Sequence, residues 1–251
     1  MIRDFARMTW PEVEAALALR LPALLPIGAI EQHGAHLPLT TDHDLACGVA
    51  REVAVRTGAF LLPGLAYGDA ATAQSFPGTL SIRPDTLRAL VVDIGLDLKR
   101  QGIPALITVN AHFGNRDPVA QAARLLGEAG MPVLMLDHPG LEELAEALCE
   151  STPAGPGFFH ADEVETSMML ALRPDAVQMD KAAPEYPEFP PTFGMEPMQL
   201  REISKSGVFG DPRPSTSETG QAFLTGIADR ALPLITAFMA RHGLPEGPWP
   251  R

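Results

Sequence analysis

Apolar residues in the first two-thirds of the chain alternate between short continuous runs and longer helical patterns. The short runs have the length of buried strands and fall at residues 23–30, 58–64, 104–110 and 131–137. The helical patterns that follow them cover residues 42–57, 84–101 and 116–129. Strands separated by helices of this length predict crossover connections and a mainly parallel sheet with helices on both faces. We therefore expect an α/β fold with three layers, αβα.

The last third of the chain has a different character. A helix is predicted at 162–172, and another at 217–241 with Ser215 or Ser217 as its cap. Between them, residues 182–216 are rich in proline and show little periodicity. A segment of this length without regular structure is expected to pack over the domain or against another subunit.

Composition and charge narrow the class of protein. With 46% apolar and 20% charged residues, the chain can bury a sizeable core, and the lack of repeats or boundaries favours one domain, 1–251. The net charge is −12, no run of Lys or Arg suits nucleic acid, and no apolar run reaches the length of a bilayer. Two acids among the first twelve residues argue against a secretory signal, and two cysteines make no disulfide framework. We expect a cytoplasmic protein with a small-molecule partner and no nucleic-acid or membrane partner.

Five of the seven histidines fall in three short polar segments. The first segment directly follows the strand predicted at 23–30 and contains Glu31 and His33, whose side chains point the same way in an extended backbone. Asp42 then stands at the start of the next helix. Carboxylate and imidazole ligands suit zinc, manganese or iron(II), and the lack of thiolates argues against a structural zinc site.

The other two polar segments are Asn110–Asn115, after the third strand, and His160–Ser167, at the start of a helix. In open parallel sheets, ligands bind beyond the carboxyl ends of the strands, where the first two segments fall. Taken singly, each residue has a plainer interpretation: His33 or His112 as a loop residue, and Glu163 and Glu165 as acids of a helix's first turn. His36 and His43 are interpreted as surface or supporting residues. The combination is what indicates a metal site.

The same segments resemble the creatininase family. The chain reads PIGAIEQHGAHLPLTTD at 26–42, VNAHFGN at 109–115 and HADEVETS at 160–167, and each is similar to a family motif in the family's order. FPGTLSI at 76–82 and SGVFGDP at 206–212 resemble further family stretches. The resemblance runs from about residue 10 to residue 235. It implies a creatininase-like fold and two divalent metal ions. We expect Zn²⁺, with Mn²⁺ or Fe²⁺ as alternatives.

Carried over residue by residue, the resemblance implies a set of metal ligands. Glu31 and His33 would bind different ions, Asp42 would bridge them, and His112 would complete one coordination sphere. Creatininase proper has an acid two residues after that histidine, where this chain has Gly114. The remaining carboxylate is therefore expected from the third segment, with Glu165 as first choice and Glu163 as the alternative.

The resemblance also bears on catalysis. His160 matches a position associated with proton transfer or substrate contact, and His160 or Glu163 would protonate the leaving nitrogen as general acid. Asn110 and Asn115 would hold the substrate or brace His112. Gln74 stands where many relatives place histidine, and we count it among the substrate-binding residues.

The reaction that the resemblance implies is hydrolysis of a carbon–nitrogen bond in a small, cyclic amide, by a water that bridges the two ions. The family's creatinine-specific members hold the ring with tryptophans, and this chain has only Trp10 and Trp249, far from every motif. Two alternatives stay open. The substrate could be creatinine itself, or the enzyme could cleave an ester, a lactone, a C–C bond or a peptide-derived cofactor precursor. A non-catalytic metal-binding protein is the remaining alternative. The resemblance further implies a homo-oligomer, with a hexamer favoured.

Overall fold

The core of the fold is a parallel sheet. The computed structural model describes residues 2–155, 157–247 and 249. Within these, five strands pair in the order β1-β3-β2-β4-β5, and every neighbouring pair is parallel. The strands are β1 (Arg3–Asp4), β2 (Ala23–Ile27), β3 (Phe60–Leu61), β4 (Leu106–Asn110) and β5 (Val133–Leu136). The expected α/β fold with a parallel central sheet is confirmed.

Helices flank the sheet in two groups that pack among themselves. The helices are α1 (Trp10–Leu17), α2 (Thr41–Thr57), α3 (Pro84–Arg100), α4 (Arg116–Glu128), α5 (Leu141–Leu148), α6 (Glu163–Leu172) and α7 (Ser217–Arg241). One group consists of α2, α5, α6 and α7, and the other of α3 and α4. The central strands β2 and β4 are buried along their whole length because both of their faces are covered.

Strands β2 and β4 lie side by side in the middle of the sheet and end together. Their register pairs Ala23 with Leu106 and Ile27 with Asn110. Since both strands run in the same direction, the residues after Ile27 and after Asn110 emerge at the same edge. This register is what brings the first two polar segments of the chain to one place.

Gly28 allows the start of α2 to lie directly against the end of β2. A Cβ atom at this position would stand 2.3 Å from the backbone nitrogen of His43 and 2.6 Å from the carbonyl carbon of Asp42. No side chain other than hydrogen fits such an approach. The close contact carries Asp42 to the edge where β2 and β4 end.

Several elements differ from the sequence expectations. Strand β1 and helices α1 and α5 were not predicted, because each is short: two, eight and eight residues. The run at 58–64 supplies only a two-residue strand, β3. The proline-rich segment packs over the domain, where the ring of Phe189 contacts the ring of Phe158.

Helix α7 is apolar enough to bear on the membrane question. With 25 residues, it is long and apolar enough to match a membrane span in length and composition, contrary to the expectation from sequence. Its buried residues include Phe223, Ile227 and Ile235, and it packs against α2 and α6. These contacts bury 39% of its most apolar stretch.

Candidate metal centre

Five side chains from four parts of the chain converge at the edge where β2 and β4 end. They are Glu31, His33, Asp42, His112 and Glu165, each at most 9% exposed. Their ligand atoms form two groups, and the atoms of each group lie within 4.8 Å of one another. One group is Asp42 with Glu31 and His112, and the other is Asp42 with His33 and Glu165. The structure thus brings together all five residues that the sequence suggested as ligands.

His112 turns one ring nitrogen to the acids and the other to the backbone. Its Nδ1 lies 3.0 Å from Oε2 of Glu31 and 3.0 Å from Oδ2 of Asp42. Its Nε2 lies 2.8 Å from the carbonyl oxygen of Asp69. Because a carbonyl only accepts, Nε2 carries a proton, and Nδ1 is the nitrogen that faces the carboxylates and is left for a cation.

His33 has the same arrangement with its nitrogens exchanged. Its Nδ1 donates to the carbonyl oxygen of Glu31 at 3.1 Å. Its Nε2 lies 3.1 Å from Oδ1 of Asp42 and 3.5 Å from Oε2 of Glu165. Each histidine therefore turns the ring nitrogen that could bind a cation toward a different pair of acids.

Asp42 stands between the two histidines and gives one oxygen to each. This is the placement of a carboxylate that bridges two cations. Among the described residues, Nε2 of His33 and Oδ2 of Asp42 are buried without a hydrogen bond. Buried polar atoms without partners are costly, and two of them in one acidic cluster, one facing Oδ1 of Asp42 and the other facing Nδ1 of His112, fit bound cations. The donor set of carboxylates and imidazoles without thiolates fits zinc, manganese or iron(II).

The charges of the cluster are strongly coupled in the metal-free protein. Burial alone would lower the pKa of His33, but the carboxylates of Asp42 and Glu165 outweigh it and raise that pKa to about 10. Burial alone would also lower the pKa of His112, but the carboxylates of Glu31 and Asp42 outweigh it, so that this pKa is raised as well. Burial raises the pKa of Glu165 to about 8, against the pull of His33. Protons thus hold the positions that cations would take.

The two glutamates at the start of α6 have different surroundings. Glu165 faces His33, and its Oε2 also accepts from the backbone of Ala161 at 2.6 Å. Glu163 accepts from the backbone nitrogens of Glu150 and Ser151 at 3.0 and 2.7 Å. Of the two alternatives for the fifth ligand, the geometry therefore favours Glu165, and it gives the carboxylate of Glu163 partners away from the metal cluster.

His160 borders the cluster. The centroid of its ring lies 4.4 Å from that of His33. One of its ring nitrogens also lies within 4.8 Å of ligand atoms of Glu31 and His33. Burial, reinforced by the neighbouring His33, lowers the pKa of His160 to about 4. One of its ring nitrogens is 2.7 Å from the side-chain amide of Gln32. His36, by contrast, contacts Thr166 at 2.9 Å, which fits a supporting residue.

The residues expected to bind substrate fall into two groups. Asn110 and Asn115 are buried and brace the loop of His112: Asn110 donates to the carbonyl of His112, and Asn115 donates to Gly28 and to Asn110. The structure thus favours the bracing role of the two that sequence left open. Gln74 is exposed, beside a short 3₁₀ turn at Ala71–Ala73, and its substrate contact stays a prediction.

Two residues of this site were not singled out from the sequence. Asp69 contributes its backbone carbonyl to His112, and its own N–H donates to Asn115 at 2.9 Å. Gln32 contributes its side chain to His160. A backbone contact leaves no signal in residue type, although Gly68 and Gly114, which flank this approach, hint at close packing. The signal for Gln32 was its place between two ligands.

A parallel α/β domain with a buried carboxylate–histidine centre at the carboxyl edge of its strands is the class that fold and site define. The family model described as creatinine amidohydrolase (creatininase) matches residues 6–235. The chain belongs to the creatininase family of hydrolases.

Individual relatives agree with this assignment. The creatinine amidohydrolase of Pseudomonas putida is 31% identical over 88% of this chain and 93% of its own length. A mycofactocin precursor peptide peptidase of Mycobacterium tuberculosis is 30% identical over 94% of both chains. A crystal structure of creatininase superposes with a TM-score of 0.84 at 30% identity, covering 94% of this chain and 97% of the other.

Proposed function

We propose that this protein is an amidohydrolase that uses two divalent cations to hydrolyse a carbon–nitrogen bond of a small, cyclic amide. The observation that carries the proposal is the position of Asp42, which gives one oxygen to His33 and the other to His112. Each histidine has a carboxylate of its own besides, Glu165 and Glu31 respectively. A single cation would need only half of this set.

Solved relatives support a metal-dependent reaction. A manganese creatininase and a variant creatininase of Zn–Zn type superpose on this chain with TM-scores of 0.81 and 0.82, each at 30% identity. We propose Zn²⁺ as the principal metal and Mn²⁺ or Fe²⁺ as alternatives. When bound, two such cations acidify water and polarise a carbonyl group.

The residues of the chain would divide the work of holding and orienting. Glu31 and His112 would hold one cation, His33 and Glu165 the other, and Asp42 both. The Nε2–H of His112 and the Nδ1–H of His33 stay on backbone carbonyls, which fixes the ring orientations. The buried walls exclude bulk water, so that charge developing on a substrate would be stabilised by fixed groups.

His160 is the residue we propose to assist the leaving nitrogen. It lies against His33 at the edge of the cluster. Glu163 was the alternative, but both of its carboxylate oxygens accept hydrogen bonds from backbone nitrogens. The geometry therefore favours His160 for this role.

We propose a substrate other than creatinine and keep creatinine as the alternative. Neither tryptophan of the chain offers a ring to the centre. Trp10 is 76% exposed on α1. The backbone nitrogen of Trp249 donates to the carbonyl of Thr57, at the end of α2 opposite to Asp42. The P. putida relative is named for creatinine, whereas the mycobacterial relative is named for a peptide. A cyclic amide and a short peptide amide are accordingly the two substrates to compare first.

The experiment is reconstitution of the metal-free protein. Chelator-treated protein would receive Zn²⁺ or Mn²⁺ and be given creatinine, five- and six-membered cyclic amides, and short peptides, with release of amine as the assay. Amine release that returns only with metal supports the proposal. Hydrolysis that is unchanged by removal of metal, or an ester or lactone cleaved in preference to every amide, contradicts it. Light scattering on the same sample tests the proposed homo-oligomer.

A further inference from the structure

The side chain of Gln32 lies between His160 and the loop at 204–210, and all its polar atoms have partners. It is 5% exposed. Its Oε1 accepts from the backbone nitrogen of Gly34 at 3.0 Å. Its Nε2 lies 3.2 Å from the carbonyl oxygen of Gly207 and 2.7 Å from Nε2 of His160.

These partners fix which end of the amide is oxygen and which is nitrogen. Gly34 offers an N–H, which only the oxygen can accept, and Gly207 offers a carbonyl, to which only the nitrogen can donate. If the amide were turned over, both contacts would become repulsive. The amide nitrogen therefore points to His160, with its second proton directed at the ring.

We propose that Gln32 is a positioning residue that holds His160 as the neutral tautomer with its proton on Nδ1. Because Gln32 donates to Nε2 of His160, that nitrogen must be the acceptor, and Nδ1 carries the hydrogen. Protonation of Nε2 would set two donors against each other. The arrangement thus disfavours both the other tautomer and the imidazolium cation.

The loop at 204–210 keeps Gln32 in this orientation. Gly207 has a φ of 82°, and a Cβ atom there would stand 1.7 Å from Oε1 of Gln32, so only glycine lets the loop approach. The carboxylate of Glu185 accepts from the backbone nitrogens of Lys205 and Ser206 and from the hydroxyl of Ser204. The SGVFGDP stretch at 206–212 acquires a role in this way: it supplies the carbonyl that orients Gln32.

The inference rests on the proposed function and changes one step of it. A neutral imidazole with its proton on Nδ1 can donate a hydrogen bond through that nitrogen but is no base, since Nε2 accepts from Gln32. Nor does it give the proton away, because the ring would become an anion. The hydrolysing water supplies both the hydroxyl that adds to the carbonyl carbon and the proton that the leaving nitrogen gains, so the atoms balance without a proton from His160.

The test is a direct view of the ring. Protein labelled with ¹⁵N-histidine and loaded with Zn²⁺ is measured by solid-state NMR, and His160 is assigned by comparison with His160→Gln. The inference predicts a protonated Nδ1 and an unprotonated Nε2 for His160. A protonated Nε2, in either a neutral or a cationic ring, would overturn it. Gln32 is present in the protein that is measured, so the result does not depend on whether a Gln32 variant folds.

Gln32→Glu provides the second arm. Its carboxylate can only accept a hydrogen bond, so it favours a proton on Nε2 of His160. We expect the signal of a protonated nitrogen to appear at Nε2 of His160 instead of at Nδ1. Amide hydrolysis should fall by roughly 10- to 100-fold, as for other partners of site residues, while the metal content stays that of the wild type. Gln221→Glu, which adds the same charge at an exposed position of α7, is the matched control. Unchanged tautomer signals and activity in Gln32→Glu would overturn the inference.

Failure of the inference and failure of the proposed function are distinguishable. The tautomer is read without a substrate, so an enzyme inactive on every amide can still show a protonated Nδ1. Conversely, a metal-dependent amidohydrolase in which Nε2 is protonated would retain the proposed function and lose this inference.

Discussion

The carbonyl oxygen of Asp69 lies 2.8 Å from Nε2 of His112, and this contact determines which nitrogen of His112 faces the acids. Asn115 holds Asp69 in place by accepting from its backbone nitrogen at 2.9 Å. Asn115 also donates to the carbonyl of Gly28, at the end of β2. The orientation of one candidate ligand is thus linked to the sheet edge through two residues outside the ligand set.

Gly114→Ala should weaken metal binding through this contact. The added Cβ would stand 2.0 Å from the carbonyl oxygen of Asp69 and 2.9 Å from Nε2 of His112, so that one of the two must move. We expect the affinity for metal to fall by about 10- to 100-fold, measured by competition with a chelator. Gly127→Ala is the control, since no described atom comes within 4 Å of a Cβ there and the position is helical. Equal affinities for the two variants would contradict the role of Asp69.

Replacing each of the two glutamates of α6 by glutamine separates their roles. Glu165→Gln should lower the metal content, because it removes a charged oxygen facing His33. Glu163→Gln should leave the metal content unchanged and reduce the free energy of unfolding by about 1–3 kcal/mol, since a charged acceptor for two backbone nitrogens is lost. Metal analysis and denaturant unfolding of both variants make the comparison. Loss of metal only in Glu163→Gln would reverse the assignment.

Metal uptake should release protons. In the metal-free protein the pKa of His33 is raised to about 10 and that of His112 is also raised, so both are protonated at neutral pH. Cations bind only the unprotonated nitrogens, and uptake must expel these protons. Calorimetry of Zn²⁺ binding at pH 7, in buffers of different ionisation enthalpy, should give at least two protons released per chain. Uptake without proton release would show that the histidines are not ligands.

The stability of the metal-free protein should fall as the pH rises. A histidine whose pKa is raised from 6.5 to about 10 in the folded state stabilises fully below 6.5, and this contribution is lost as the pH approaches 10. Glu165, with its pKa raised from 4.5 to about 8, acts in the same direction over its own range. Melting temperatures of metal-free protein between pH 6 and pH 10 should therefore decrease. The decrease should be smaller in His33→Gln; an equal slope in that variant would contradict the assignment.

Sequence reasoning succeeded where a pattern is carried by residue type. The apolar runs of β2 and β4 and the polar residues after them predicted the sheet edge that bears the cluster. It failed for β1, α1 and α5, because two to eight residues carry too little periodicity to stand out. It also left the roles of Asn115 and of the two glutamates open. Those roles depend on which backbone groups lie nearby, and only the fold determines that.

The contacts that orient the histidines were beyond sequence reasoning for the same reason. The carbonyl of Asp69 reaches His112 across 43 positions, and Gln32 reaches His160 across 128. Neither partner has a residue type that marks the pairing. The glycines that permit such approaches, Gly114 and Gly207, are visible in the sequence, but their purpose appears only when the neighbouring chain is in place.

Anomalous diffraction from crystals of the Zn²⁺-loaded protein would show whether Asp42 joins two cations. We expect two peaks per chain, about 3.5–4 Å apart, one beside His112 and Glu31 and the other beside His33 and Glu165, with Asp42 touching both. A single peak, or two peaks that Asp42 does not bridge, would contradict it.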